Sequence, residues 1–478
     1  MLFNSLQYAV FLPVVFALYW IVPHKRRWLL VLLSSYYFYM SWNAKYLLLI
    51  VFITGVSYAG AILVEREKNI GRKKLWVGAV IVTSLALLFV FKYFNFVSEL
   101  ITKLLNMMSI PTSEIVLSLL LPVGISFYTF QAIGYTIDVY RGDVPAEHHF
   151  GKYAAFVAFF PQLVAGPIER TRNLLPQLKE ERFFDYGQAT YGLKLMAWGY
   201  FKKIVVADTL AIYVDKIYGD MHFFSGFARL AVIFLFPIQI YCDFSGYSDI
   251  ARGTAKLFGV ELMENFKSPY FTKSMREFWR RWHISLSSWF RDYVYIPLGG
   301  NRKGQIRSMI NVVIMFTLSG LWHGASLNFV VWGFLHGCVQ VFERLRDTCK
   351  EERKYKVPYP LKVIINYIVF SVLLTIFRAQ GIKDAAYMLV YWYQGIQNPV
   401  RWVVSGFENL GISGLMVLKL LFMFVLLGAF DYISLKKDVI SSISKWKFPC
   451  RWALYIGLIV LIFFWAPAES AQFIYFDF

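Results

Sequence analysis

Four cysteines in 478 residues, Cys242, Cys338, Cys349 and Cys450, stand too far apart for a disulfide framework or a cysteine zinc cluster. The sequence has no H-E-x-x-H and no cysteine pair, and its seven histidines are scattered, so no bound metal is expected. It also lacks a G-x-S-x-G elbow, a G-x-x-x-x-G-K-[ST] loop and a G-x-G-x-x-G turn. Those absences exclude the usual nucleophile elbow and the common phosphate cradles. With no internal repeat or low-complexity linker, nothing divides the chain, and residues 1–478 read as one membrane domain. Acidic residues are scarce as well: 30 Asp and Glu face 49 Lys and Arg, for a formal charge of +19.

What is present is apolar. Hydrophobic residues make up 58% of the chain and aromatics 19%, with a mean hydropathy of +0.50. A soluble fold of this size would leave much of that surface in water, so uninterrupted apolar runs point to an all-α multispanning membrane protein. The first run, Tyr8 to Val22, is followed by the basic HKRR, where a removable leader needs small residues; it is expected to remain. Further candidate spans include Trp28 to Trp42, Tyr46 to Val64, Leu75 to Phe94, Val116 to Val139, Tyr191 to Val206, Leu230 to Phe244, Ser308 to Leu321, Leu327 to Val341, Leu361 to Phe377, Leu415 to Tyr432 and Trp452 to Trp465. Several are short or carry Pro or Gly, which predicts broken or re-entrant helices enclosed by protein.

The basic residues cluster between these runs, at His24 to Arg27, Arg72 to Lys74, Asn301 to Arg307, Arg344 to Lys356 and Lys436 to Arg451. No nucleic-acid motif accompanies them, so nucleic acid is excluded as a partner and the clusters read as cytoplasmic flanks facing membrane lipids. Counting crossings from them puts the C-terminal tail, residues 466–478, outside the cytoplasm. The stretch FWRRWHISLSSWFRDYV, from Phe278 to Val294, interleaves aromatics with arginine and is expected to lie as a helix at the headgroup surface.

Three histidines stand out. His323 sits in TLSGLWHGASLNF between two apolar runs with no nearby charge, and an ionisable group at membrane depth is a functional-site hypothesis by default. Its neighbours Gly320, Gly324, Ala325 and Ser326 are small, which suggests space around the ring, and Asn328 is a potential polar partner. His283 is crowded by Arg280, Arg281 and Arg291, whose charge favours a neutral ring. His336 is the third. From these residues alone the chain is a membrane protein with a histidine-containing polar cavity, either enzyme or transporter.

Several longer motifs narrow this. The opening MLFNSLQYAVFLPVVFALYW, GISFYTFQAIGYTIDVYRG, FFPQLVAGPI, YCDFSGYSDIARG, EFWRRWHISLSSWFRDYVYIPLGGNR and LSGLWHGASLNFVVWGFLHG together resemble the membrane-bound O-acyltransferase (MBOAT) family over essentially the whole chain. Within it they resemble the bacterial branch of alginate and peptidoglycan O-acetyltransferase membrane subunits and, more distantly, the D-alanyl transfer protein of teichoic acid modification. The resemblance implies a ring of tilted and broken transmembrane helices with opposed funnels, in the bacterial cytoplasmic (inner) membrane. It implies that His323 is the active-site histidine and that His283 is a second catalytic position. The reaction it implies moves an acyl group, most simply acetyl, from cytoplasmic acetyl-CoA or another acyl-CoA toward an extracytoplasmic polysaccharide. No resident cofactor is implied. Arg280, Arg281 and Lys303 become candidates for the CoA phosphates, and Asp243 and Asp249 for structural caps or network members. Because the chain carries no appended transferase domain, a separate extracytoplasmic SGNH-type O-acetyltransferase is implied as partner. Direct transfer to a lipid or protein, or a non-enzymatic transporter or scaffold, are the competing readings.

The tail ends in QFIYFDF. Aromatics at a terminus suit an interfacial anchor, but Phe473, Tyr475 and Phe478 also resemble the FxYxxF terminus of this branch, whose tyrosine is proposed to carry the acyl group. A phenol is a poor nucleophile until a base takes its proton, so Tyr475 is a candidate covalent carrier served by His323.

Overall fold

The computed structural model describes residues 1–164, 166–348, 357–468 and 471–474. Cys349, the last part of the basic run ending at Lys356, and Tyr475 to Phe478 lie outside the described residues. Every regular element among those described is helical. Among the described residues six helices are long and apolar enough to cross a membrane: Ala44–Arg66, Ile70–Met107, Gly226–Leu257, Tyr359–Arg378, Gly414–Ser434 and Phe448–Trp465. In the last of these no residue of the apolar window is buried within the protein, and Phe463 and Phe464 are about four-fifths exposed. Apolar surface of that extent is stable against lipid and not against water. The protein is therefore a multipass membrane protein.

Contacts divide the chain into two compact units, Met1–Met196 with Ile250–Met263, and Ala197–Asp249 with Glu264–Phe478. In the first unit, helices start where the sequence offers a cap. The Ser5 hydroxyl accepts from Tyr8 N–H at the head of Leu6–Ile21, and Asn69 accepts from Arg72 N–H at the head of Ile70–Leu88. Ile125–Arg141 lies between Gly124 and Gly142, both left-handed with φ of 76° and 77°, a conformation that glycine enters without strain. The candidate span Val116 to Val139 is thus only half right. Residues 109–122 are not helical; Pro122 and the left-handed Gly124 stop the helix there. The freed backbone is satisfied by the neighbouring helix Phe94–Met107, whose Asn95 side chain bonds both the N–H and the carbonyl of Leu117, while Ser98 accepts from Ile115 N–H.

The second unit holds His283, His323 and His336. Its wide π-type turn, Phe201–Ala207, leads into Asp208–Gly219. Such turns displace the backbone register and recur at functional sites; this one carries Lys202 and Lys203. Gln305–His323 and Leu327–Thr348 form an antiparallel pair. Their close approach explains the small residues. A Cβ on Gly320 would meet the Phe329 carbonyl and lie 3.1 Å from Gly333 Cα, one on Gly337 would lie 2.8 Å from Val313 Cα, and one on Gly324 would strike the Phe329 ring. The small residues next to His323 therefore bring two helices together; they do not leave the open space expected around the ring.

The expectation of a surface helix from Phe278 to Val294 also fails. The segment breaks into Met275–Trp279 and Ile284–Phe290 with His283 between them. Trp279, Trp282, Leu286, Trp289 and Phe290 are all buried. Trp282 alone packs against Phe266, Phe278 and Phe370 with ring centroids 5.0 to 5.4 Å apart. Its aromatic residues are core of this unit, which the arginine-rich composition concealed.

Candidate functional site

His323 is the last residue of Gln305–His323, where Gly324 turns extended and lets the chain reverse toward Leu327. The ring is buried between Trp322, Trp332 and Phe377, at centroid distances of 5.0, 5.3 and 5.4 Å. Asn328 does not serve His323 as expected. Its amide donates to the Ala379 carbonyl at 2.7 Å and ties the hairpin to the end of Tyr359–Arg378, the helix that supplies Phe377.

His283 faces His323 with ring centroids 6.3 Å apart. It is fully buried and adopts φ 43° and ψ 52°, a left-handed conformation that costs a non-glycine residue roughly 1–2 kcal/mol. Asn265 holds this turn: its carbonyl accepts from Ile284 N–H at 3.1 Å and its side-chain oxygen from Ser285 N–H at 3.2 Å. Backbone strain held in this way is a mark of functional sites. Burial lowers the His283 pKa from 6.5 to about 3, so the ring is neutral at working pH. Removal from water is the cause, and not the arginines next to it in sequence.

His336, the third candidate, has a structural role. It is buried in Leu327–Thr348, and its Nδ1 accepts from the Trp279 indole at 3.3 Å.

Two features lie near the histidine pair. One is a cavity of about 560 Å³ lined by Arg276, Arg280, Arg291 and Arg344 at polar points, with Trp279, Met315 and Phe316 among its apolar walls. Ser319 also lines it, and lies four residues before His323 on the same helical face. This is the size and lining of a site for an anionic ligand with an apolar part. Arg276 pairs with Asp347 and Arg291 with Asp292, whereas Arg280 makes no ion pair among the described residues. Arg281, paired with Glu277 at 2.6 Å, and Lys303, exposed in the turn before Gly304, are not among the lining residues.

The other feature is the tail. Phe473 is buried, with its ring 4.6 Å from Tyr247 and 6.0 Å from Phe244, and Phe244 in turn lies 4.7 Å from His283. The described part of the tail is therefore docked two aromatic contacts from the histidine pair. Tyr475 follows directly but lies outside the described residues.

A buried ionic network supports this side, as Asp243 and Asp249 foretold. Lys202 pairs with Asp249 at 2.5 Å, Lys203 with Asp243 at 2.7 Å and with Asp208 at 2.9 Å, and Tyr241 donates to Asp431 at 2.8 Å. The two lysines were absent from the sequence-based candidates, although the signal was there. Both fall inside the apolar run Tyr191 to Val206, where a charge demands a partner. Among the described residues no group of acids, histidines and cysteines could hold a metal ion.

Comparison with known proteins adds the following. Residues 143–382 match the family model for membrane-bound O-acyltransferases. The Pseudomonas aeruginosa protein described as "Probable alginate O-acetylase AlgI" is 38% identical over 423 residues, covering 88% of this chain and 79% of that protein. The "Peptidoglycan O-acetyltransferase" of Helicobacter pylori is 33% identical over 424 residues, covering 81% and 79%. The "Teichoic acid D-alanyltransferase" of Bacillus subtilis is 28% identical over 256 residues, covering 49% and 61%.

Proposed function

The chain belongs to the membrane-bound O-acyltransferase family, and on that premise we propose that it passes an acetyl group from cytoplasmic acetyl-CoA across the membrane for O-acetylation of an extracytoplasmic polysaccharide. The observation that carries this reading is a buried histidine pair in aromatic contact with the docked C-terminal tail through Phe244, near an arginine-lined cavity whose wall includes Ile284 and Ser319. The names of the relatives point to alginate, peptidoglycan or a similar envelope glycan as the final acceptor.

In this reading Arg280 and its neighbours in the cavity hold the phosphates of the donor, with Arg281 and Lys303 as further cations at the approach. His323 takes the phenolic proton of Tyr475, and the phenolate attacks the thioester carbonyl. The carbon–sulfur bond breaks, CoA leaves as the thiol with that proton, and the acetyl group rests on Tyr475 as an aryl ester. His283, kept neutral by burial, forms the opposite wall of the reaction space as the second catalytic histidine. A separate extracytoplasmic SGNH-type transferase then takes the acetyl group to its own serine and on to the sugar hydroxyl, and Tyr475 regains its proton. Residues 1–478 act as one membrane domain in the cytoplasmic (inner) membrane, with the tail on the outer side.

The deciding experiment is a deletion strain. Its envelope glycans are isolated and their ester-linked acetate is measured against the parent and a complemented strain. Loss of acetate from one glycan, restored by complementation, identifies the acceptor; unchanged acetate in every glycan overturns the reading.

A further inference from the structure

We infer that Lys203 and Asp243 are positioning residues that clamp the C-terminal tail by its backbone and fix where the acyl-carrying end begins. Lys203 Nζ has three protons to give. Two go to Asp208 and Asp243, and the third to the Ala471 carbonyl at 3.2 Å. Asp243 uses one carboxylate oxygen on Lys203 and the other, at 2.8 Å, on the Ile474 N–H. The tail is thus gripped at two backbone groups three residues apart, and between them Phe473 inserts against Tyr247 and Phe244.

All three ionic residues are at least 97% buried. A cation and two carboxylates out of water are costly unless their remaining hydrogen-bonding positions are filled, and the tail fills one on each side. Contacts to backbone set register and not residue identity, so the segment 471–474 is held whatever its side chains. A polar cavity of about 140 Å³ adjoins the clamp, lined by Asp208, Gln239, Arg378 and Gln472 among others.

This inference rests on the reading of the tail as acyl carrier, and the test separates the two. Ile474→Cys keeps the backbone N–H and places a buried thiol on the clamped segment. In the full-length protein with Cys242, Cys338, Cys349 and Cys450 removed, its maleimide labelling should be slow, and Asp243→Ala should accelerate it roughly ten- to a hundredfold, as loss of a charge-assisted hydrogen bond requires. Asp243→Asn retains an acceptor and leaves Lys203 with Asp208, and should restore most of the protection. Unchanged labelling in Asp243→Ala overturns the clamp.

Ile474→Pro removes the tail's N–H donor and leaves every buried charge in place. It should lower turnover with an unchanged KM for acetyl-CoA, and the double variant with Asp243→Ala should be no slower than either single one. Additive losses would mean that Asp243 acts through the fold and not through the tail. Full activity of Tyr475→Phe would remove the carrier reading, while the labelling result would still decide the clamp.

Discussion

Gly320→Ala tests whether the helix hairpin sets the position of His323. The added methyl would face the Phe329 carbonyl and lie 3.1 Å from Gly333 Cα. Both obstacles are backbone, so no side-chain rotation relieves them, and the two helices must part by roughly 1 Å. Overpacking of this kind costs about 1–3 kcal/mol. The functional effect should be larger than the loss of stability suggests. His323 lies one helical turn beyond Gly320 at the end of the displaced helix, and a displacement of about 1 Å at a reacting group costs on the order of a hundredfold in rate. The assay is CoA release by purified protein in detergent or nanodiscs, run beside thermal unfolding. The expected result is a kcat lower by about a hundredfold, a KM for acetyl-CoA within a few-fold of wild type and a folded protein. Gly457→Ala is the control: no atom lies within 4 Å of its Cβ, on a helix facing lipid, and it should be silent in both assays. Wild-type kcat in a folded Gly320→Ala protein would refute the claim that this packing positions the histidine.

Arg280→Gln should raise the KM for acetyl-CoA roughly tenfold and flatten its salt dependence; Arg281→Gln and Lys303→Gln, whose side chains do not line the cavity, should have smaller effects, and an unchanged KM in Arg280→Gln would remove the cavity as the phosphate site. His283 yields a pH prediction. An unfolded chain protonates it below about 6.5, whereas the buried ring resists a proton down to about 3, so between those values acid favours unfolding and stability falls with pH. The slope attributable to it is at most ~1.4 kcal/mol per pH unit, and His283→Asn, a residue that tolerates left-handed backbone, should remove that share from melting curves taken between about pH 6.5 and 4; an identical pH dependence in the two proteins would contradict the burial argument. Tyr475→Phe should abolish acyl label on the protein while its melting temperature stays within a degree or so of wild type.

Much of the fold was legible because lipid leaves the sequence little choice. A helix that crosses hydrocarbon must be continuously apolar, and Tyr46 to Val64, Leu361 to Phe377 and Leu415 to Tyr432 each lie within an observed long helix. The misreadings have a common source: hydropathy reports surroundings and not conformation. Residues 109–122 are apolar enough to look like part of a span, yet Pro122 and Gly124 forbid the helix. His283 breaks the arginine-rich segment by adopting a backbone conformation that no histidine advertises. The small residues at Gly320 and Gly324 looked like open space when viewed along one chain; only the facing helix, with Phe329, shows what they accommodate. His323 could be found because an ionisable group isolated among apolar residues is conspicuous. Its meeting with His283, forty positions earlier, depends on packing between distant segments, and so does the burial of Phe473 under Phe244. The motifs and Asp243 pointed to the right neighbourhood, while Lys202 and Lys203 were hidden by the hydrophobicity of the run around them.

The role of His323 as proton acceptor in acyl transfer is tested most directly with purified protein. Purified protein and its His323→Ala variant, both shown to be folded by thermal unfolding, are incubated with acetyl-CoA labelled in the acetyl group, and CoA release and label retained on the protein are followed together. Release and protein-bound label are expected in the wild type, and loss of both, by a factor on the order of a hundred to ten thousand, in the variant. Turnover by His323→Ala at the wild-type rate would contradict that role.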